Sequence, residues 1–599
     1  MERIHADLVD DANVTVIMWR RRHGFIYGES NGTRCQKKEL VASRAAALNR
    51  HSRESFGATA VATPACSWHV TSSAPPSHTC ESRLIAVNRP DVIVVGAGAS
   101  GAVLAARLSE DADRTVLALE AGPVPRQPSA FPRELMDARL VPGAQPEHSA
   151  VQRYQVSLTP GRPYTVTRGR VLGGSTTVNG GYFIRARRND FDRWAATGDG
   201  WAYERMLPLL RSLETDLDYG ADAVHGDRGP MPIRRTDLRH PAAAAFRAAA
   251  RELGFPEEPD KNAQDAPGFG PVPLNAVGGQ RSNTGISYLL GALTRPNLRV
   301  EGNCPVRAVT VSRGRATGVI VERGGRRTLL EAGEIVLCAG AFASPHLLHL
   351  SGIGPAADLR RLDIPVVHDA PAVGARFSDH PQIVLEWRPR RAMAEPADSW
   401  IGGALHLSSS DRRYPGDLEI LQSLIPLAGL VGGHMVVPGA PLAFLVSVQS
   451  PRASGRLRTR STDSTAALDI EYGYLRTADD RRRMREAVRA TAALVATAAF
   501  HEASIGLLEP GPRTLNDDRL LDRWICDRLG TAHHTCGTTP MGPADDPRAV
   551  VDPYGRVHGL LGLRVADTSI LPSAPLRGPA ATAVLIGEAV AQAMRHNLS

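Results

Sequence analysis

One junction constrains this chain more than any other feature. Asp91-Val-Ile-Val-Val95 is a short apolar run suited to a strand buried on both faces, and it passes directly into Gly96-Ala-Gly98-Ala-Ser-Gly101. Ala102–Leu108 reads as the start of a helix. A second strand, Thr115–Leu119, ends in Glu120, 24 residues after Gly96. Each part has a physical task. Gly96 permits the tight turn, Gly98 lets backbone approach a pyrophosphate, and Gly101 lets helix pack on strand. The helix start offers unpaired N–H groups to phosphate. Glu120 is placed to accept hydrogen bonds from the adenosine ribose, and its charge disfavours a 2′-phosphate. Strand, glycines, helix and distant acid together predict a βαβ unit that binds a dinucleotide, without separating FAD from NAD.

The remaining composition narrows the setting. A chain of 599 residues predicts several folding units, and 43% hydrophobic with 22% charged residues is globular usage. The net charge of +8 is not a nucleic-acid signal. Lys37, Lys38 and Lys261 are the only lysines among 70 basic residues, a net of +4 falls within residues 1–90, and the later arginines are scattered among acids. The seven cysteines show no C-x-x-C spacing, so neither a zinc site nor a disulfide framework is expected, and no metal is assigned. The most apolar long stretch, Leu424–Val448, is interrupted by Pro426, Gly432, Gly433, His434, Pro438 and Pro441 and reads as buried sheet or loop rather than a span. A cytoplasmic location is expected, with at most peripheral contact at the inner face of the cell membrane. Residues 1–86 show no sustained period of 2 or 3.6 and no secretory pattern, and are expected to be a disordered or misannotated extension.

Two further glycine-rich stretches follow. Gly169-Arg-Val-Leu-Gly173-Gly174-Ser175-Thr176-Thr-Val-Asn179-Gly180-Gly181-Tyr-Phe183 lets backbone lie against a flat ligand. The strand Glu334–Cys338 runs into Gly340-Ala-Phe-Ala-Ser344-Pro345-His-Leu347-Leu348-His-Leu-Ser351-Gly352-Ile353-Gly354. Both resemble the signature patterns of the glucose–methanol–choline (GMC) family of FAD oxidoreductases. So do His534-Thr-Cys-Gly537-Thr538-Thr-Pro-Met541-Gly542 and Leu563-Arg-Val-Ala-Asp567-Thr-Ser569-Ile-Leu-Pro572, and the resemblance spans roughly residues 90–595.

The resemblance implies that Gly96, Gly98, Gly101 and Glu120 hold the ADP part of FAD. Arg170, Gly173, Gly174, Ser175, Asn179 and Gly180 would line the pyrophosphate and isoalloxazine. Val306 would meet adenine through backbone, and Asp567 with the helix start near Thr582 would close the site. Some relatives tether the flavin through a His at the position of Asn179; Asn cannot form that bond, so non-covalent FAD is expected. Oxidation of an alcohol needs a base, and a neutral imidazole suits it. The family's base aligns with His534, with its neighbour His533 as second choice. Most relatives place an Asn or His ten residues before the acid of the last helix. Here that position is Gly578, and Arg577 is the nearest polar substitute, either a stabilising cation or a surface residue in a Pro/Gly loop.

Local strings, among them Val178–Phe183, Asp190-Phe-Asp-Arg-Trp194, His225-Gly-Asp-Arg-Gly-Pro230, Asp379-His-Pro381 and Arg577-Gly-Pro579, resemble the GMC dehydrogenase of the mycofactocin system. That implies reoxidation of mycofactocinol with electrons passing towards a respiratory acceptor. The alternatives are a generic alcohol or choline dehydrogenase or oxidase, and a non-catalytic flavin-binding adaptor. The fold implied is α/β: a Rossmann-like FAD-binding domain of the GMC/p-hydroxybenzoate-hydroxylase kind, with an α+β substrate domain carrying an antiparallel sheet. The FAD-binding domain is expected from 91–235, 280–375 and 535–599, and the substrate-binding domain from 236–279 and 376–534. Asp479–Thr497 reads as an amphipathic helix with a solvated basic face.

Overall fold

The computed structural model describes residues 89–432 and 437–596, together with two short strand pairs between Leu8 and Ile26. The rest of the 1–86 extension, with the expectation made for it, lies outside the described residues. Residues Ala86–Ser599 form one compact unit.

Two sheets organise that unit. In chain order their strands are β1 (Val92–Val95), β2 (Val116–Leu119), β3 (Phe269–Pro271), β4 (Leu298–Glu301), β5 (Glu334–Leu337), β6 (Pro381–Pro389), β7 (Ile401–Leu407), β8 (Leu418–Ser423), β9 (Leu442–Val448), β10 (Ser504–Leu507), β11 (Gly530–Thr531) and β12 (Leu563–Val565). The first sheet is wholly parallel in the order β4-β2-β1-β5-β12. Helices cover a parallel sheet on its faces, so its strands read as continuous apolar runs, and every residue of β1, β2 and β12 is buried. The second sheet is antiparallel, in the order β3-β7-β8-β9-β6-β10 with β11 on β6. β6 alternates buried and exposed or half-buried positions along much of its length, as a one-sided sheet requires. The interrupted apolar stretch expected to be sheet or loop supplies β9 and a 3-10 turn, Leu427–Val431.

Each sheet has its own hydrophobic core. The strands of the parallel sheet come from 92–119, 298–337 and 563–565, and those of the antiparallel sheet from 269–271 and 381–531. On that distribution we propose the division into cofactor and substrate domains given above.

Four helices matter for the site. α1 (Gly101–Leu108) follows β1, α2 (Gly340–Leu350) follows β5, α3 (Ala478–Val495) lies against the antiparallel sheet, and α4 (Ala580–Arg595) closes the chain against α1. A Cβ on Gly587 of α4 would sit 2.6 Å from the Ser100 carbonyl, so glycine sets the distance between α4 and α1. The acid of this last helix, Glu588, is taken up by Arg107 at 2.9 Å and the Tyr288 hydroxyl at 2.8 Å. The helix predicted over 479–497 is α3, capped by the Thr477 hydroxyl. Its basic run is not the solvated face expected. Arg483 is buried on Asp480 and Asp417, while Arg485 and Arg489 pair with Asp518 and Asp522 on the neighbouring helix Asp518–Arg528. Desolvated guanidinium groups need partners, and apart from Asp480, three residues from Arg483, these acids lie too far along the sequence to be seen as such.

Candidate active site

The glycines at the end of β1 separate into two kinds. A Cβ on Gly96 (φ +98°) would lie 2.6 Å from the Cys338 carbonyl, and one on Gly101 would lie 1.9 Å from the Gly96 carbonyl. Protein packing alone demands glycine there. A Cβ on Gly98 would meet nothing nearer than the Gly174 Cα at 3.7 Å, an ordinary contact. The fold itself would accept alanine at Gly98, so the bare backbone there serves whatever approaches from outside. That is the requirement of a pyrophosphate.

The second glycine stretch packs against the first. Gly173 donates to the Ala97 carbonyl at 2.8 Å, and Gly173 and Gly174 both have positive φ, +85° and +54°. Glu120 is buried. It accepts from the backbone N–H of Ala97 at 3.0 Å and Gly122 at 2.8 Å. Burial raises its pKa, against those two hydrogen bonds. Its expected role towards a ribose is therefore shared with holding the glycine turn. Arg170 is exposed and donates to the Ala121 carbonyl, and exposed Ser175 accepts from Gly169 N–H at 3.1 Å. The Asn179 side chain accepts from Gly181 N–H at 3.0 Å. Gly180 is explained by the protein as well: its Cβ would run into Trp400, whose indole N–H donates to the Gly180 carbonyl at 3.0 Å. Val306 is half-buried at the start of the strand Val306–Ser312.

Asp567 ties the cradle to the chain's end. Its carboxylate accepts from Gly340 N–H at 2.8 Å, the Ser344 hydroxyl at 2.6 Å and Ser569 N–H at 2.9 Å, joining the start of α2 to the turn after β12. Thr582, in the first turn of α4, is 1% exposed, and its hydroxyl has no hydrogen-bond partner among the described residues. A buried, unpaired hydroxyl needs a partner. With the open backbone at Gly98, it makes these residues fit a large dinucleotide such as FAD.

His534 stands on the segment that follows β11. Its backbone N–H donates to Asp379 at 2.8 Å, and its Nδ1 lies 2.9 Å from Nδ1 of His380. Two such nitrogens can be that close only if one carries a proton and the other accepts it. His534 Nε2 lies on the other side of the ring, 3.4 Å from where a Gly578 Cβ would stand, and the Tyr182 ring flanks the same point at 3.4 Å. Burial lowers the pKa of His534 to about 4 and of His380 to about 3, so both are neutral at ordinary pH. His533 goes elsewhere. Its backbone is left-handed (φ +64°), which turns its ring away towards Arg168 and Tyr164.

Arg577 is not the surface residue that its Pro/Gly loop allowed for. It is fully buried and donates to the carbonyls of Gly416 at 2.9 Å and Leu576 at 2.6 Å, not to His534. The residue that sequence reasoning left without a role is His380. It lay in the quoted string Asp379-His-Pro381, and only the fold brings it to His534.

Among the described residues, Glu214, Asp216 and His225 could converge on one metal ion. Their geometry favours a proton instead. His225 Nδ1 meets Glu214 at 2.9 Å and Asp216 at 3.0 Å, and its Nε2 meets Asp260 at 2.7 Å. Burial opposes the charge, but these hydrogen bonds from the imidazolium to Asp216, Asp260 and Glu214 raise its pKa to about 10. Arg185 and Arg235 balance the remaining carboxylate charge.

Comparison with known proteins identifies the family. A family model described as GMC oxidoreductase matches residues 90–382, and the family's C-terminal model matches residues 451–587. An uncharacterised GMC-type oxidoreductase of Rhodococcus erythropolis is 39% identical over 503 residues, covering 83% of this chain and 97% of that protein. An oxygen-dependent choline dehydrogenase of Rhizobium rhizogenes is 34% identical over 534 residues, covering 84% and 94%. Among solved structures, pyridoxine 4-oxidase from Mesorbium loti superposes with a TM-score of 0.78 at 29% identity, covering 85% of this chain and 99% of that one. Among the described residues no helix is long and apolar enough to cross a membrane. With its paired glycine cradle, its imidazole pair and these relatives, the chain belongs to the GMC oxidoreductase family, FAD-dependent enzymes that act on alcohol-type donors.

Proposed function

We propose that this enzyme oxidises an alcohol carbon with His534 Nε2 as the base that takes the hydroxyl proton, on FAD held without a covalent bond. One observation carries the reading: the ring of His534 is held from behind by His380 while its Nε2 faces the gap left by Gly578. For Nε2 to be free to accept, Nδ1 of His534 must carry the ring proton and donate it to His380. His380 thus acts as a positioning residue that selects the tautomer. Burial keeps the imidazole neutral, which is the state a base needs. Asp379 fixes the segment by accepting from His534 N–H and from Thr535 Oγ1. Arg577 donates to backbone carbonyls through Nη1, and its Nε and Nη2 have no partner among the described residues, which leaves them for the developing alkoxide as a stabilising cation. FAD, when bound, supplies the acceptor for the hydride that leaves the alcohol carbon. Gly96, Gly98, Gly101, Glu120, Arg170, Gly173, Gly174, Ser175, Asn179, Gly180, Val306, Asp567 and Thr582 are the residues we assign to holding it.

The substrate we favour is mycofactocinol, with electrons passed towards a respiratory acceptor rather than efficiently to oxygen. The strings at Val178–Phe183, Asp190–Trp194 and Arg577–Pro579 support it. The second reading is a choline or simple-alcohol oxidoreductase, favoured by the choline dehydrogenase relatives. Anaerobic bleaching of the flavin distinguishes them. Bleaching by mycofactocinol far faster than by any simple alcohol, reversed by a quinone and only slowly by air, supports the first reading. Bleaching by ethanol or choline as fast as by mycofactocinol, with rapid recovery in air, refutes it. In either case His534→Ala must slow flavin reduction by about 10²- to 10⁴-fold at normal FAD content. A smaller effect removes His534 as the base.

A further inference from the structure

Beside His534 lies a buried polar chain that no step above uses. Lys261, one of three lysines in the sequence, is fully buried. Its ammonium donates to Glu258 at 2.7 Å, to the Gly268 carbonyl at 3.1 Å and to His406 Nδ1 at 3.2 Å. Nε2 of His406 is 2.9 Å from Oε2 of Glu419, and the Tyr182 hydroxyl donates to the same oxygen at 2.8 Å. Glu419 is near enough to the catalytic pair for its charge to act on both His534 and His380.

The proton positions along this chain follow from the donor inventory. An ammonium can only donate, so His406 Nδ1 accepts. His406 then carries its proton on Nε2 and donates to Glu419. Burial opposes the charge on Glu419, but the hydrogen bonds from His406 and Tyr182 hold its pKa down to about 2, and burial pushes the Tyr182 phenol well above its usual value. An ionised carboxylate can only accept, so the Tyr182 proton points at Glu419. Its other polar neighbour, His406 Nε2, is 3.5 Å away with its proton directed at Glu419 at 2.9 Å, so what Tyr182 offers elsewhere is a lone pair. Its ring borders the Gly578 gap in front of His534 Nε2.

We propose that Tyr182 is a specificity residue that reads a second hydrogen-bond donor next to the carbinol, so that the enzyme prefers alcohols bearing a neighbouring hydroxyl or amine N–H to plain alkanols. The inference rests on His534 as the base, since it places the reacting hydroxyl at Nε2 and the second donor at Tyr182. A tyrosine free to turn its proton would accept or donate without preference. The chain from Lys261 removes that freedom.

The test uses the FAD-loaded enzyme and three probes: ethane-1,2-diol, its isostere 1-propanol, and 2-methoxyethanol, which has an acceptor but no second donor. Anaerobic stopped-flow gives the reduction rate over Kd for each. The wild type should favour the diol over both others by roughly tenfold, the effect of one well-placed hydrogen bond. Tyr182→Phe keeps the ring, and should bring the ratios to within about twofold of one another, with FAD content unchanged and Tm lowered by no more than about 3 °C for the hydrogen bond lost to Glu419. Equal use of the three probes by the wild type, or a preference that survives in Tyr182→Phe, overturns the proposal while leaving His534 as the base. Failure of all three probes to reduce the flavin overturns it together with simple-alcohol oxidation. Reduction by all three that persists in His534→Ala counts against the base instead.

Discussion

Replacing His225 with Gln removes a buried positive charge and keeps a side chain of similar size. The folded imidazole has a pKa of about 10, against about 6.5 for the free group. Each unit of that difference corresponds to about 1.4 kcal/mol, so proton binding by His225 contributes at most about 5 kcal/mol to stability. Removing one partner from a buried ionic network costs about 3–5 kcal/mol by independent experience, which agrees. The sign follows from the direction of the shift. Because the folded pKa is raised, the full contribution is present below pH 6.5, declines as pH rises, and is gone above about pH 10. In a cooperative unit of some 500 residues, 1 kcal/mol moves Tm by about 1 °C. His225→Gln should therefore lower Tm by about 3–5 °C at pH 6, and the gap to wild type should close as the pH approaches 10. Scanning calorimetry at pH 6, 8 and 10 measures it. A gap that does not change with pH refutes the cationic histidine. A wild-type Tm raised by zinc and lowered by EDTA refutes it in favour of a metal at Glu214, Asp216 and His225.

Other substitutions probe the cradle and the histidine pair. Gly98→Ala should leave the Tm of the FAD-free protein within about 1 °C of wild type while weakening FAD binding at least tenfold, because a Cβ at Gly98 meets no protein atom closer than an ordinary contact and would stand where the pyrophosphate is expected. Gly96→Ala should instead destabilise the fold by roughly 2 kcal/mol or more, since its backbone is left-handed and its Cβ meets a carbonyl; equal behaviour of the two variants in calorimetry and FAD titration contradicts the distinction. Thr582→Val should lower FAD affinity with little loss of FAD-free stability, as its hydroxyl has no partner to lose; unchanged affinity by fluorescence titration excludes it from the site. His380→Phe should slow flavin reduction roughly 10- to 100-fold with a smaller change in KM, measured by stopped-flow, because the tautomer of His534 is no longer selected; an unchanged rate removes that role.

What could be read from the sequence follows the range of the contacts. The dinucleotide fold was legible because its determinants are local: strand, turn and helix start lie within residues 91–108, and a glycine that must be glycine is visible as a letter. Gly96 and Gly101 act through neighbours a few residues away or through the adjacent strand. His534 was legible only through its motif. Its partner His380 is 154 residues earlier, and no periodicity joins them. Arg577 shows the opposite failure. A Pro/Gly loop suggests exposure, but the loop is covered, and one nitrogen of the guanidinium, Nη1, donates to the carbonyls of Gly416 and Leu576. The Arg483–Asp417 pair and the link from Lys261 through His406 to Glu419 were hidden for the same reason. Buried charge is arranged by tertiary partners, and a single sequence lists the charges without the pairing.

The place of β12 in the parallel sheet has a consequence for synthesis of the protein. β12 pairs with β5, and the turn after it delivers Asp567 to Gly340 and Ser344. Thr582 and α4 come later still. The glycine cradle of residues 96–180 therefore leaves the ribosome almost 400 residues before Asp567 and the pieces that complete it. Until residues 563–595 emerge, β5 has an open edge and the nascent chain holds a half-built pocket. Cofactor capture then waits for those residues, so flavin supply acts late in the chain's growth rather than on the glycine turn as it appears. A chain cut short by a few dozen residues would lose β12, Asp567 and α4 together, leaving an exposed sheet edge and a cradle without its lid.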